Sequence, residues 1–412
     1  MTLLLPASLV IVGGSPCWAQ AEPANDEEID ALTGNWGGGR NYLLSRGVDL
    51  GLAYTGDVWG NVAGGLEQGI VYLDNWDLTL ALDAEALMGW KGGSFFFYFL
   101  GNQFGSPSDL VGDHQAASNI DAPDTFKLYE AWLEQRFGSV FSIRAGLYDL
   151  NSEFDANEVG GLFINSSQGI GPDFSQAGEN GPSIFPNASL GLRLRLDPTP
   201  WLYAQAAVLD GVPGDPDRPK ALAIRFDPND GALIAVEVGV APASAKAQAH
   251  FALGGWHYTA RFDHLTEIDA TGNPLRLRAN RGAYLIVEAW GLGEVDDPDQ
   301  GLGVLLRLGL ANAQVNPFLG YTGGAIRYTG LIPGRDADQI GLGVAAVHNG
   351  KFMQETMQAD DPRTEIAIEF SAAIELTPWW ILHPDVQFII HPGTAADVQN
   401  ALLLGLRTEV VF

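Results

Sequence analysis

The chain has 412 residues, of which 46% are hydrophobic and 17% are charged, and its formal net charge is −28. Nucleic acid is excluded as a partner, because 22 Lys and Arg residues are too few for the basic face that phosphate neutralisation needs. A helical membrane protein is also excluded, because no run of 18 apolar residues occurs. A secreted all-β protein and a membrane β-barrel remain.

The first 21 residues resemble a secretory signal peptide. An apolar run at 3–12 is followed by small residues, and we place the cleavage site after Ala19 or Ala21. The basic residues that usually open such a signal are missing, because the first Lys or Arg of the chain is Arg40. Residues 1–21 are therefore predicted to be removed from the mature protein.

The segment at 22–49 is predicted to be a periplasmic lead-in to the main domain. It is acidic up to Asp30 and then favours a short helix that carries Leu43 and Leu44. The only cysteine, Cys17, lies within the signal in the sequence GSPC, which lacks the pattern of a lipid-anchored protein. The mature chain is therefore expected to contain no disulfide and no cysteine-bound metal.

Apolar and charged residues alternate with a period of two through much of residues 50–412, which we assign to a single β-domain. At 189–196, for example, four leucines alternate with Gly191, Arg193 and Arg195. This pattern predicts strands with one apolar and one charged face. The seventeen candidate strands span residues 50–59, 77–87, 93–101, 126–137, 140–148, 188–197, 200–209, 220–226, 231–241, 249–260, 281–292, 301–310, 317–328, 339–347, 364–376, 379–390 and 401–412. Most are close to the length of about 9–11 residues that a tilted membrane strand requires.

Very short turns and long loops connect these strands. The short turns lie at 137–139, 198–200 and 377–378, and the long polar connections are 101–125, 149–187, 348–363 and 391–400. Short periplasmic turns and long extracellular loops are typical of an all-β, transmembrane antiparallel β-barrel of the outer membrane. Both termini fall on the short-turn side, which requires an even number of strands. We therefore predict sixteen strands, with one candidate between 220 and 340 wrongly assigned.

The last strand, at 401–412, is predicted to close the barrel against the first. Leu404 and Leu406 then face lipid, while Arg407 and Glu409 face the lumen. The charged faces of other strands are also expected to line this lumen, because charges cost far less there than in a dry core. On this basis the lining candidates are Glu130, Trp132, Glu134, Arg136, Arg144, Tyr148, Arg193 and Arg195.

The longest connection, at 149–187, has two interpretations. It contains several acidic residues, followed by the aromatic and glycine-rich tract GLFINSSQGIGPDF. A loop of this length in a compact protein is typically functional or disordered. One interpretation is an exposed lid, and the other is a loop that folds inward and narrows a pore.

From residue 32 to the end, the chain resembles the carbohydrate-selective porins of the OprB type. The matching segments are 32–50, 129–138, 143–154, 189–196, 211–219, 329–345 and 375–393. The most specific blocks among them are W-G-G-x-R, I-P-G-R-x-x-D and T-P-W…P-D-x-Q-x-I-x-x-P-G.

The resemblance implies a sixteen-stranded barrel in the outer membrane of a Gram-negative bacterium. Sugars, chiefly glucose-like monosaccharides, would diffuse through it passively into the periplasm. It also implies inward loops and a pore lined by arginines, acidic residues and aromatics, which bind a solute just strongly enough to admit it. The substrate-pathway candidates by motif position are Glu130, Trp132, Glu134, Arg144, Asn151 and Glu153, and strand facing adds Arg193 and Arg195.

Two alternatives remain open: a general or ion-selective porin without sugar preference, and a secreted all-β sugar-binding protein. An enzyme is disfavoured, because no carboxylate pair, metal motif or nucleophile motif stands out. We expect no cofactor and no metal. The expected partners are small sugars, outer-membrane lipid and the barrel-assembly machinery, since Phe412 resembles the C-terminal aromatic that this machinery recognises. The oligomeric state, including a homo-oligomer, is left open.

Overall fold

The protein forms an antiparallel β-barrel of sixteen strands, seen in a computed structural model that describes residues 30–221, 224, 227–244, 247–293 and 299–412. The strands are β1 Val48–Gly65, β2 Gly69–Asp83, β3 Gly93–Phe104, β4 Thr125–Phe137, β5 Phe141–Tyr148, β6 Ser189–Thr199, β7 Leu202–Asp210, β8 Ala232–Val240, β9 Ala247–Tyr258, β10 Arg281–Leu292, β11 Gly301–Ala311, β12 Phe318–Thr329, β13 Gln339–Asn349, β14 Thr364–Thr377, β15 Trp380–Ile390 and β16 Gln399–Val411. The predicted signal peptide lies outside the described residues.

Short helices lie in the turns and loops that connect the strands. The α-helices are α1 Gly39–Leu44, α2 Ala84–Met88, α3 Ser108–Val111, α4 Pro172–Ser175 and α5 Lys351–Gln354. Single 3₁₀ turns lie at Trp36–Gly38, Leu150–Ser152, Val159–Leu162, Ser166–Gln168 and Pro392–Thr394. Among the described residues, no helix is long and apolar enough to cross a membrane.

The first and last strands close the barrel. Along β1 and β16, Asp57 lies opposite Arg407, and the two side chains form an ion pair with an Nε–Oδ1 distance of 2.8 Å. The backbone N–H of Phe412 donates to the carbonyl of Leu52 at 2.9 Å. The predicted closure by the terminal strand and the predicted number of strands are therefore confirmed.

Some strand boundaries predicted from the sequence were wrong. Strand β2 starts at Gly69 and ends at Asp83, whereas the alternation predicted a strand at 77–87. Residues 84–88 instead form α2, because the Asp83 carboxylate caps the helix by accepting from the N–H groups of Glu85 and Ala86. An alternating pattern of alanines and a glutamate fits a helix as well as a strand.

The candidate strand at 220–226 lies mostly outside the described residues, and β7 pairs directly with β8, so no wall strand lies between them. The described residues of this candidate lie in the irregular loop between β7 and β8, and no strand is found among them. The loop between β9 and β10 contains a hairpin of Phe262–Ile268 and Pro274–Leu277 that the sequence analysis did not anticipate.

Side chains alternate between the two faces of the barrel wall. On β16, Leu404 and Leu406 are exposed on the outer face, and Arg407 is buried on the inner face. On β14, Phe370 is exposed outside, and Glu369 is fully buried inside. The exterior is thus apolar and the interior polar, as a barrel in lipid requires.

The loop between β5 and β6 folds into the barrel. Its residues Phe154, Leu162 and Phe174 are almost completely buried. The ring of Phe174 stacks on that of Trp256, which belongs to β9, with the centroids 5.0 Å apart. The main apolar core therefore lies inside the barrel, between this loop and the wall, and the loop is not an exposed lid.

Candidate functional site

Four charged side chains meet where the inward loop contacts the barrel wall. Glu134 on β4 lies opposite Arg144 on β5, which in turn lies opposite Arg193 on β6. The antiparallel register therefore places the three side chains in one row on the inner face. Glu153, which belongs to the inward loop, completes what we call the ion-pair cluster.

The two guanidinium groups and two carboxylates of the ion-pair cluster form hydrogen bonds and ion pairs with one another. Arg193 donates to Glu134 at 2.8 Å and to Glu153 at 2.7 Å. Arg144 donates to Glu134 at 2.8 Å and lies 3.6 Å from Glu153. The four side chains are between 1% and 8% exposed. The formal charges of these four side chains sum to zero, and Arg136 adds a third guanidinium group at the exposed edge of the cluster, where it donates to Glu134 at 2.9 Å.

The electrostatic balance in the cluster favours the ionised form of Glu153. Burial by itself raises the pKa of this carboxyl, but the charges of Arg144 and Arg193 outweigh burial, and hydrogen bonds from Arg193 and Tyr148 add to their effect. The pKa of Glu153 is lowered to about 2 as a result. The cluster therefore keeps its charges throughout the neutral and mildly acidic range.

Trp132 supports the cluster from the neighbouring row. Its ring stacks on Phe96 of β3 at 5.1 Å, and the Arg144 guanidinium lies 3.8 Å from the ring centroid. The indole N–H donates to Glu130 at 3.1 Å. Gly146 lies opposite Trp132, and a Cβ there would come within 2.2 Å of the Ala131 carbonyl. Trp132 is thus packed between its neighbours and holds Arg144 in place.

Two of the eight predicted site residues, Arg195 and Asn151, lie outside the cluster and away from Trp132. Arg195 is one row closer to the short-turn end, pairs with Asp197 at 3.0 Å, and remains 29% exposed. Asn151 donates to the carbonyls of Phe154 and Asp155, both at 3.1 Å, and so shapes the inward loop. The structure therefore brings six of the eight predicted residues together: Glu130, Trp132, Glu134, Arg144, Glu153 and Arg193.

Sequence reasoning missed a second buried charge centre on the other side of the lumen. Arg307 on β11 pairs with Asp155 and, at 2.8 Å, with Asp173, both from the inward loop. Its guanidinium also lies 4.9 Å from the ring centroid of Tyr321. The alternation along β11 could have predicted that Arg307 faces inward. It could not have predicted the partners of Arg307, which are 152 and 134 residues away in the sequence.

Inward carboxylates of the wall hold the loops in place. Glu237, Glu288 and Glu369 accept hydrogen bonds from the backbone N–H groups of the inward loop, and Glu365 accepts from the loop between β3 and β4. The donors are Asp155 at 3.0 Å, Glu158 at 2.9 Å, Ile164 at 2.5 Å and His114 at 2.9 Å, respectively. We call these four residues the wall carboxylates. Because each bond joins a loop N–H to a side chain of the wall, together they fix the position of both loops.

A closed barrel with an apolar exterior, a charged interior and loops folded into the lumen defines an outer-membrane porin. Residues 67–412 match the model of a protein family described as the carbohydrate-selective porins of the OprB family. The chain belongs to this family. It is accordingly an outer-membrane protein of a Gram-negative bacterium.

Individual relatives are similar over nearly the whole chain. Porin B of Pseudomonas aeruginosa is 25% identical over 96% of this chain and 94% of its own length. The high-pH structure of Pseudomonas putida OprB superposes with a TM-score of 0.82 at 22% identity, over 94% of this chain and all of the other. OmpT of Vibrio cholerae, as a loop-deletion mutant, gives a TM-score of 0.51 at 10% identity, over 89% of this chain and 99% of the other. The two structures support the fold alone.

Proposed function

We propose that the protein is a passive channel for neutral, glucose-like monosaccharides, and that the ion-pair cluster is where solutes are sorted. The observation that carries this proposal is the cluster itself, which combines two guanidinium groups and two carboxylates with no net charge. The family to which the chain belongs supports the carbohydrate class of the solute.

A neutral cluster of this kind suits a polyol better than an ion. A passing ion meets both signs of charge at close range, so attraction to one pair of groups is offset by repulsion from the other. A sugar hydroxyl both donates and accepts, so it can exchange hydrogen bonds with carboxylate and guanidinium together. Several such exchanges per molecule give the weak, reversible binding that a facilitator requires.

Side chains on the inner face become less exposed towards the cluster from the short-turn end. Arg136 and Arg195 are 49% and 29% exposed, whereas Arg144 and Arg193 in the adjacent row are 4% and 1% exposed. A sugar on its way to the periplasm has to displace contacts within the cluster before it reaches the exposed guanidinium groups at the short-turn end, which makes the cluster the selective step.

Liposome swelling tests this proposal against a general or ion-selective porin. The purified protein is reconstituted, and swelling rates are compared for glucose, which is uncharged, gluconate, which is an anion, and glutamine, which is a zwitterion of similar size. We expect glucose to enter several times faster than the other two. Equal rates for all three solutes would contradict sugar selectivity, and no swelling with glucose would contradict a monosaccharide channel.

A matched variant checks that any effect arises in the lumen. Glu85 lies in α2, at a turn outside the barrel interior, and Glu85→Gln removes one carboxylate without touching the cluster. This variant is expected to keep the wild-type ratio of glucose to gluconate. Glu134→Gln leaves the cluster with a net positive charge and is expected to raise gluconate entry relative to glucose.

A further inference from the structure

The outer surface of the barrel carries a groove across β8 to β11 with a volume of about 640 Å³. It lies at the long-loop end, because β9 ends at Tyr258 and β10 begins at Arg281 beside it. In an outer-membrane barrel the long loops are extracellular, so this groove opens into the outer leaflet.

The strand register explains why a groove forms here. Gly255 on β9 lies opposite Val236 on β8 and Ala283 on β10, and Ala283 lies opposite Leu310 on β11. Two small residues therefore form the floor between two exposed aliphatic side chains. The only close neighbour of a Cβ on Gly255 would be the Gly282 carbonyl at 3.5 Å, so the space above this floor is open.

The row nearest the loops places polar and basic groups at the mouth of the groove. His257 lies opposite Arg281, and both line the groove, with Arg281 exposed. Arg276 pairs with Asp263 at 3.3 Å. In the part of the chain that the structure describes, neither Arg281 nor the exposed Arg278 has an ion pair. Although the chain has a net charge of −28, Arg281 and Arg278 therefore provide positive charge near the level of the lipid head groups.

We propose that the groove binds lipid A, an anionic phosphorylated lipid of the outer leaflet. One acyl chain lies on Gly255 and Ala283, between Val236 and Leu310, and a phosphate group lies against Arg281 and His257. Basic residues at the membrane surface recognise anionic head groups in this way. A second copy of the chain is the weaker occupant, since it would have to bring an acidic group to the lipid-facing side of its own barrel, where charge is unfavourable.

Native mass spectrometry of the full-length protein in mild detergent tests the proposal. Bound lipid is counted after titration with lipid A, with phosphatidylethanolamine and with inorganic phosphate in separate arms. We expect one lipid A molecule to remain bound to the wild type. Arg281→Gln is expected to weaken this binding about fivefold, the effect of one basic residue near the membrane surface. Ala283→Leu is expected to abolish retention, because it fills the floor of the groove.

Two control variants make the same changes elsewhere on the outer surface. Arg363 precedes β14 at the same end of the barrel, and Ala346 lies on the outer face of β13. Arg363→Gln and Ala346→Leu are expected to bind lipid A like the wild type, which separates the groove from general effects on the barrel. Heat modifiability of each variant on a gel verifies that the barrel is folded.

Four results would overturn the proposal. They are equal lipid A binding by the wild type and both groove variants, equal binding of phosphatidylethanolamine and lipid A, full displacement of lipid A by inorganic phosphate, and a wild-type oligomer that the groove variants dissociate. The last result would assign the groove to a second copy of the chain. None of these measurements uses sugar transport, so they are independent of the proposed function.

Discussion

Replacing Arg193 with Gln should destabilise the folded barrel far more than the same replacement at Arg195. The two arginines lie on the same strand and the same inner face, one row apart. Arg193 is 1% exposed and bonds to Glu134, Glu153 and Ser142. Arg195 is 29% exposed and pairs with a partly exposed carboxylate. Only the first substitution removes a charge from a buried ion pair.

The expected magnitudes follow from burial. Removing one partner of a buried ion pair costs about 3–5 kcal/mol, because a charge is left without its counter-ion. Glu134 retains Arg144, and Glu153 retains the Tyr148 hydroxyl, so we expect the Arg193→Gln cost to be near the lower end, at about 3 kcal/mol. An exposed pair contributes about 0–1 kcal/mol, which is the expectation for Arg195→Gln.

Urea unfolding in phospholipid vesicles, followed by the heat-modifiable band on a gel, measures both free energies of unfolding. The Arg195→Gln variant serves as the control, because it removes the same charge from the same strand. A difference between the two variants below about 1 kcal/mol would refute the reasoning, since it would assign both arginines to open water.

Three further predictions concern the inward loop, the cluster and the C-terminus. Glu369→Ala removes the carboxyl group that accepts from the Ile164 N–H at 2.5 Å, so amide exchange at Ile164 should accelerate at least fivefold, as expected when a buried N–H loses its acceptor at a cost of about 1–3 kcal/mol. Because the pKa of Glu153 falls from the usual 4.5 to about 2 on folding, the stability that this carboxylate provides should be complete above pH 4.5 and should be lost as the pH falls towards 2. The stability gap between wild type and Glu153→Gln should narrow over that range. Deleting Phe412, whose ring stacks on Trp76 at 6.0 Å, should reduce the amount of barrel assembled in the membrane and leave the solute preference of the assembled fraction unchanged.

The prediction for Glu369 has a matched control on the same strand. Glu375→Ala alters an inward carboxylate on the same strand that accepts no bond from the inward loop, so it should leave exchange at Ile164 unchanged. Equal acceleration in both variants would contradict the anchoring role of the wall carboxylates. A stability gap at Glu153 that does not depend on pH, or normal assembly without Phe412, would contradict the other two predictions.

The sequence predicted the barrel well because closure in lipid leaves a strong local pattern. Alternation along β6 and β16 correctly placed Arg193 and Arg407 inside and the neighbouring leucines outside. The even number of strands followed from the positions of the termini alone. Boundaries were weaker where alternation is ambiguous, as at 84–88, where capping by Asp83 converts an alternating segment into a helix.

The arrangement within the lumen was only partly predictable, because it depends on contacts between distant segments. Glu134 and Arg144 are neighbours across one short turn, so strand facing was enough to bring them together. Arg307 pairs with loop residues more than a hundred positions away, and Asp57 pairs with Arg407 across the closing seam. Strand facing identifies which side chains point inward, but it does not identify their partners. Trp132 was predicted to line the solute pathway, but its contacts with Phe96 and Arg144 were not predictable from strand facing.

Single-channel recording with glucose titration tests the central claim most directly. If a monosaccharide exchanges hydrogen bonds with the ion-pair cluster as it passes, glucose should reduce the potassium chloride current reversibly and with saturation. Gluconate at the same concentration should produce little saturable block. A current that falls with glucose only in proportion to the viscosity of the solution would contradict a sugar-binding constriction.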